Sequence, residues 1–396
     1  MVKDKVIKLK NQPLDGWKRE LIAKYKPDGE VLIPCRSHNI ALILKNDHEF
    51  KGRITFDELA QQILLDEKPL NDVGPIKIKT FLEKNYIQEK VSTGNIIDAV
   101  TLIASENSFH PIKQYLLSLS WDKTNRLEAM FSRYFGAKQS KYSEYAGKSF
   151  MTSAVARIFQ PGCQVDTMIV LEGEQGCGKS TSLSTLFSSQ WHSEITANVN
   201  DKDFFQCMRG KWLMEFGEMS GIKKADYTHI KQVITVRNDN YRPSYAAFSR
   251  DFPRQNIFAG TTNEQTYLID PTGARRFLPI ACGKIDIGAI KEDRDQLWAE
   301  ALQLFYAKHD WSKIPGAKDE QDARYQSDSW EEKIVQWLDT RTELMTSEIL
   351  EDCFKIDASK HSKTDQIRVG QIMAKLGWKK ARILKNGSRI WHYIKS

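Results

Sequence analysis

The chain has 396 residues, of which 41% are hydrophobic and 28% charged, with a formal net charge of +7. That length suits two or three domains, and no stretch approaches the ~20 consecutive apolar residues of a membrane span. Met1 to Lys5 lead into no apolar signal core. Six cysteines without a Cys-x-x-Cys pair speak against a zinc site or a disulfide framework, and a cytoplasmic location is expected.

Up to about Phe135 the pattern reads as helical. Ser37 is placed to cap a helix over 39–44 and Thr55 one over 56–65, while Thr93 precedes apolar residues spaced by three and four from Ile96 to Ala104. Only Glu30 to Pro34 reads as a short strand. A mainly helical N-terminal domain over 1–137 is expected. It holds no Asp-x-Asp pair of the kind a two-metal polymerising site would want.

From 138 to 328 strands alternate with helices, as in an α/β nucleotide-binding core. The apolar run Thr167 to Leu171 reads as a buried strand and runs into Gly173, Glu174, Gln175, Gly176, Cys177, Gly178, Lys179 and Ser180, with Thr181 continuing into a helix. This is the pattern of a phosphate-binding loop (P-loop). Its glycines turn backbone N–H groups towards a triphosphate, Lys179 reaches the β and γ phosphates, and Ser180 offers a hydroxyl to Mg²⁺. ATP and Mg²⁺ are the expected cofactors. A second strand, Lys211 to Phe216, carries Glu215 near its end, with Glu218 just beyond. One of these carboxylates would hold the Mg²⁺ shell and the other orient the attacking water, and spacing alone does not separate the roles. A third strand, Asn256 to Gly260, leads to Asn263, an amide suited to positioning water beside the γ phosphate. Arg254 precedes that strand and joins the catalytic candidates. Arg275 and Arg276, on a Pro/Gly turn, are placed to reach a neighbouring subunit's phosphate as arginine fingers. Asp293 and Asp295 open an amphipathic run and read as helix-capping, solvent-facing acids.

The last part, 329–396, shows three helical stripes, at 332–338, at 349–354 capped by Thr346-Ser347-Glu348, and at 366–376. Two alternating runs then flank Asn386-Gly387, a strong hairpin signal. Three helices and a basic hairpin predict a winged-helix domain. From Lys375 to Ser396 there are seven basic residues and no acidic one. Lys379, Lys380, Arg382, Lys385 and Arg389, interleaved with Trp378, Trp391 and Tyr393, suit contact with a phosphate backbone.

From Phe109 to Trp311 these motifs resemble one family, the virulence-associated E proteins. These are AAA+-like ATPases of phages and mobile genetic islands, related to superfamily 3 helicases. The resemblance rests on Phe109-His110-Pro111, Trp121-Asp122, Ala154-Val155-Ala156-Arg157, Pro161-Gly162-Cys163 and the phosphate-binding loop. It continues through Arg209-Gly210-Lys211-Trp212, Tyr241-Arg242-Pro243, Asp251-Phe252-Pro253-Arg254, Gly260-Thr261-Thr262-Asn263 and Asp270-Pro271-Thr272-Gly273-Ala274-Arg275-Arg276-Phe277. It implies an ATP-dependent DNA motor, a replicative helicase or replication initiator, working as a homo-oligomeric, hexameric ring, with a primase as a further partner. In ring helicases of this class the interval after the Glu215 strand faces the channel. Lys231, Arg237 and Arg242 would therefore grip a strand and Tyr241 would stack on it. The alternative is a nucleotide-gated DNA-binding regulator that does not unwind. A small-molecule kinase built on the same loop would need a closing lid and an acceptor pocket, and neither reads from the sequence.

Overall fold

The computed structural model describes residues 16–28, 30–195, 202–219, 224–241, 249–268, 274–325, 329–338, 341–385 and 388–395. At the N-terminal end, β1 (Lys24–Tyr25) pairs with β2 (Val31–Leu32), and α1 (Ser37–Asn46) follows. Next come β3 (Ile54–Asp57), β4 (Gln62–Leu65) and β5 (Lys68–Pro69), then α2 (Val73–Asn85), α3 (Thr93–Glu106) and β6 (Ser108–Phe109), the last lying parallel to β3. Ile40 and Leu44 of α1, Ile78 and Leu82 of α2, and Ile96 and Val100 of α3 share one core. The helix expected over 56–65 is instead an antiparallel hairpin, with Phe56 paired to Ile63. The Asp57 carboxylate accepts the N–H groups of Leu59 and Ala60, closing a local turn that competes with the helix. The N-terminal part is thus a mixture of helices and small sheets.

Helices α4 (Pro111–Ser118), α5 (Met130–Phe135) and α6 (Lys141–Phe159) lead to β7 (Met168–Glu172), α7 (Lys179–Phe187), β8 (His192–Glu194), α8 (Lys202–Cys207), β9 (Leu213–Phe216) and α9 (Lys224–Thr235). A hairpin of β10 (Asn238–Tyr241) and β11 (Arg250–Pro253) precedes β12 (Ile257–Thr262), β13 (Phe277–Ala281), α10 (Ile287–Tyr306) and α11 (Ala317–Ala323). Five of these strands form a parallel sheet in the order β13-β7-β12-β9-β8. Parallel strands buried on both faces are apolar throughout, and each face contributes to its own core. Ile169 and Leu171 meet α6, α7 and α10, with Trp212 stacked on Trp298 at 4.0 Å between ring centroids. Met168 and Val170 meet Phe204 of α8 and Ile230 of α9 on the other side. Helices α4 and α5, which precede the division expected at 137, pack into the same core as the sheet through Leu116, Met130 and Phe131.

Asp293 and Asp295 lie inside α10 and do not cap it. The capping residue is Asp286, whose carboxylate accepts the Ala289 N–H. Asp293 instead accepts from Arg126 Nε at 3.0 Å and Tyr134 Oη at 2.8 Å, and so ties α10 to α5.

The C-terminal part holds α12 (Ser329–Leu338), β14 (Glu343–Leu344), α13 (Thr346–Glu348), whose helical path continues through Cys353, α14 (Lys363–Lys375), β15 (Trp378–Lys385) and β16 (Ser388–Lys395). The strands pair antiparallel in the order β14-β16-β15. Ile334, Ile349, Val369, Met373, Trp378 and Tyr393 form its core. The Asn386-Gly387 turn lies outside the described residues. Among the described residues no helix is long and apolar enough to cross a membrane.

Candidate functional site

Because β7, β12 and β9 are adjacent and parallel, their C-terminal ends share one edge of the sheet. Glu172 lies level with Thr262, and Gly260 with Phe216. The 173–180 loop leaves β7 at this edge. Gly176 and Gly178 take φ of 80° and 96°, a conformation that side-chain-bearing residues resist. Gly178 is the N-cap of α7 and no side chain caps the helix, so the first N–H groups face the loop. The Lys179 ammonium is buried and donates to the carbonyls of Gly173 at 2.7 Å and Glu174 at 2.9 Å, and to Asn263 Oδ1 at 3.0 Å. The helix opening and the lysine concentrate donors and positive charge at one point, which suits an anion.

Glu215, on β9, is 0% exposed. Its Oε1 accepts from Ser180 Oγ at 2.5 Å and from Thr261 Oγ1 at 3.1 Å, and His192 Nε2 lies 2.8 Å from Oε2. A hydroxyl of the loop and a carboxylate thus stand in contact, both hard oxygen donors of the kind Mg²⁺ prefers. Among the described residues no three His, Cys, Asp or Glu side chains converge on a metal position. Ser180 and Glu215 therefore fit Mg²⁺ only together with oxygens of a phosphate chain, the usual arrangement for that ion. Glu218 is exposed two residues past β9, with a φ of 50°.

Sequence reasoning missed His192 and Thr261. Thr261 is in β12, two residues before Asn263, which directly follows the strand, so period-two alternation points both to the same face. His192 stands on the edge strand β8 with no motif around it. Also missed was Glu172, the residue immediately before the loop. It is 2% exposed, and Arg324, past the end of α11, holds it with Nε 3.1 Å from both oxygens and Nη2 3.1 Å from Oε2. Burial pushes the Glu172 carboxyl above its ordinary value, and the Arg324 guanidinium opposes that shift. Burial, reinforced by nearby Cys177, also pushes the Cys282 thiol up to about 12.

The arginines fall elsewhere. Arg254 is buried, its fork closed on Asp239 at 2.9 and 2.6 Å and on the Val233 carbonyl. It stands at the N-terminal end of β12, about 20 Å from the loop edge at ~3.3 Å per residue. Its guanidinium anchors the β10–β11 hairpin, which separates it from the catalytic candidates. Arg275 is exposed and Arg276 half-buried, at the N-terminal end of β13, where Phe277 lies level with Met168. They too are about 20 Å from their own loop, in an open groove shared with Trp311 and Lys318. The turn residues 270–273 lie outside the described residues.

Of the residues expected to grip DNA, Arg237 donates through Nε to the Gly162 carbonyl at 2.8 Å, and Lys231 Nζ lies 5.8 Å from the Tyr227 ring centroid. Arg242 lies outside the described residues. Tyr241 is packed between Phe205, Phe252 and Arg209, which leaves it no open face for the expected stacking. On the C-terminal hairpin Lys379, Lys380, Arg382 and Arg389 are exposed. Arg382 lies 4.8 Å from the ring of Trp391, its cross-strand partner. Nothing is described of the Lys385 side chain.

No curated protein sequence matches the chain. In fold it is similar to two solved structures, the apo structure of NrS-1 C terminal region (305-718) and the A form apo structure of NrS-1 C terminal region-CTR. Each aligns at 12% identity with a TM-score of 0.50, covering 87% of this chain and 96% of that one. The model of the virulence-associated protein E-like domain matches residues 116–331, more than half of the chain. The protein therefore belongs to the virulence-associated protein E-like family.

Proposed function

We propose that this chain is a Mg²⁺-dependent ATPase that moves on DNA, a replicative helicase or replication initiator of a phage or mobile genetic element. The observation that carries the reading is the convergence of Lys179, Ser180, Glu215 and Asn263 on one edge of the parallel sheet. On this reading 173–180 is a P-loop, the sheet order is that of an AAA+-like core, and the C-terminal helices and hairpin are a winged helix.

The loop N–H groups and Lys179 bind the β and γ phosphates of ATP. Ser180 and Glu215 hold Mg²⁺, which when bound neutralises charge on the phosphate oxygens. Thr261 and His192 keep the Glu215 carboxylate turned towards Ser180. Asn263, drawn to Lys179, positions the attacking water near the γ phosphate, and exposed Glu218 is the candidate base. Arg275 and Arg276 serve the loop of an adjacent copy, in keeping with a homo-hexameric ring. We place the start of the motor near residue 110, because α4 and α5 share its core, and the winged helix at 329–396.

The test is ATP hydrolysis with Mg²⁺, with and without single-stranded DNA, alongside strand displacement and sizing. Hydrolysis stimulated by single strands together with displacement is the expected result. Hydrolysis without displacement would identify a nucleotide-gated regulator, and no hydrolysis would overturn the ATPase reading.

A further inference from the structure

At the end of the sheet away from the loop, a cavity of about 180 Å³ opens alongside the β10–β11 hairpin. Arg209, Lys211 and Arg250 line it, with Tyr241, Phe252 and Asn256. Arg209 lies 4.4 Å from the Phe252 ring centroid and 5.0 Å from that of Tyr241, and its Nε donates to the Tyr241 hydroxyl. These contacts aim the guanidinium without neutralising it. Among the described residues Arg209 makes no ion pair, and its Nη2 is buried without a hydrogen-bond partner. The Asn256 amide, in a residue 3% exposed, likewise has no partner for Oδ1 or Nδ2.

Unpaired buried donors are costly, more so when charged, so two in one cavity need a reason. An anion supplies one. Of the acids lining the cavity, Asp239 is paired with Arg254, and Asp251 accepts from the neutral Asn240 amide. The cavity is too small for a nucleoside triphosphate and stands across the sheet from the P-loop. Its aromatic faces are taken up by Arg209 and by one another, which favours recognition of a phosphate over stacking on a base.

We propose that this cavity is a phosphodiester-binding subsite for a single nucleic-acid strand, with Arg209 as its principal ligand and Arg250 at its rim. It rests on the DNA-binding reading above and adds where the strand is held. The hairpin then acts through the arginine packed against it, and Tyr241 serves to orient that arginine.

The test is fluorescence anisotropy of labelled oligothymidylate with the full chain, over a salt series, for the unsubstituted protein, Arg209→Met and Arg250→Gln. Circular dichroism reports folding. Arg209→Met should weaken binding about tenfold and flatten the log–log salt slope by about 0.7, the share of one single-strand phosphate. Arg250 is exposed, so its variant keeps the test valid if Arg209→Met fails to fold, and it too should flatten the slope. A parallel titration with inorganic phosphate separates the sources. Loss of phosphate binding in Arg209→Met with unchanged oligothymidylate binding would make this a free-anion site and overturn the proposal. Unsubstituted affinity and slope in both variants would also overturn it. Absence of oligothymidylate binding by the unsubstituted chain would remove the DNA-binding reading itself.

Discussion

Ser180 Oγ and Glu215 Oε1 stand 2.5 Å apart, joining the first turn of α7 to β9 across the intervening β12. The contact separates two carboxylates that the sequence leaves equivalent: Glu215 touches the loop, and Glu218 faces solvent. Glu215→Gln should weaken the Mg²⁺ dependence of nucleotide binding as well as turnover. Glu218→Gln should leave Mg·ATP bound and lower turnover by about 10²–10⁴, as expected for loss of a general base. Fluorescent-nucleotide titrations with and without Mg²⁺, beside hydrolysis rates, check both. Lys179→Ala should nearly abolish turnover, and unchanged hydrolysis in that variant would sink the assignment of the loop.

Arg275 and Arg276 lie too far from their own loop to touch a phosphate bound there. Mixing Lys179→Ala with Arg275→Ala or Arg276→Ala protein should therefore restore part of the activity that each lacks alone. A finger of this kind is worth about 10³ or more in rate, so even partial recovery would stand out in a mixing titration. If both proteins assemble and no ratio recovers hydrolysis, the arginines act only structurally.

The Glu172–Arg324 pair predicts a pH-dependent stability difference. Arg324→Gln leaves a buried carboxylate without its partner, which should cost about 3–5 kcal/mol. The Glu172 pKa is already raised in the folded chain, so its protonated form favours folding. Stability from that protonation is fully present below the unfolded pKa and is lost as pH rises through the folded one. The variant's deficit should accordingly be largest at neutral and alkaline pH and shrink on acidification. Paired denaturant melts of variant and unsubstituted protein across pH measure it, and a deficit independent of pH would show that Glu172 is not its source.

Replacing Lys379, Lys380, Arg382 and Arg389 by Gln should flatten the salt dependence of duplex DNA binding by about 0.9 for each phosphate that is no longer neutralised. Basal ATP hydrolysis reads a different part of the chain and should persist. An unchanged salt slope would show that the hairpin docks on protein.

The loop, the parallel strands around it and the C-terminal hairpin were legible because each has a local signature: glycine spacing, apolar runs, alternation about Asn-Gly. Contacts between distant positions were not. Glu172 and Arg324 are 152 residues apart, and neither carries a motif that names the other. Arg254 stands in a family motif beside the Asn263 strand, yet the register of β10 and β11 closes it on Asp239. Residues 56–65 show apolar spacing suited to a helix, and the Asp57 side chain, by capturing two backbone N–H groups, decides for a hairpin.

The parallel sheet has a direction, and its two ends carry different equipment: the loop at one, Arg275 and Arg276 at the other. Two copies related by a twofold axis and packed with their sheets antiparallel would give each loop the other copy's arginines and complete both sites in a dimer. A head-to-tail, heterologous contact satisfies both ends as well, and such contacts either close into a ring or propagate as a helix. In a closed ring every copy owns one complete site, whereas an open chain always has one site fewer than its copies. The ratio of active sites to subunits, counted by tight nucleotide binding, would therefore report closure directly.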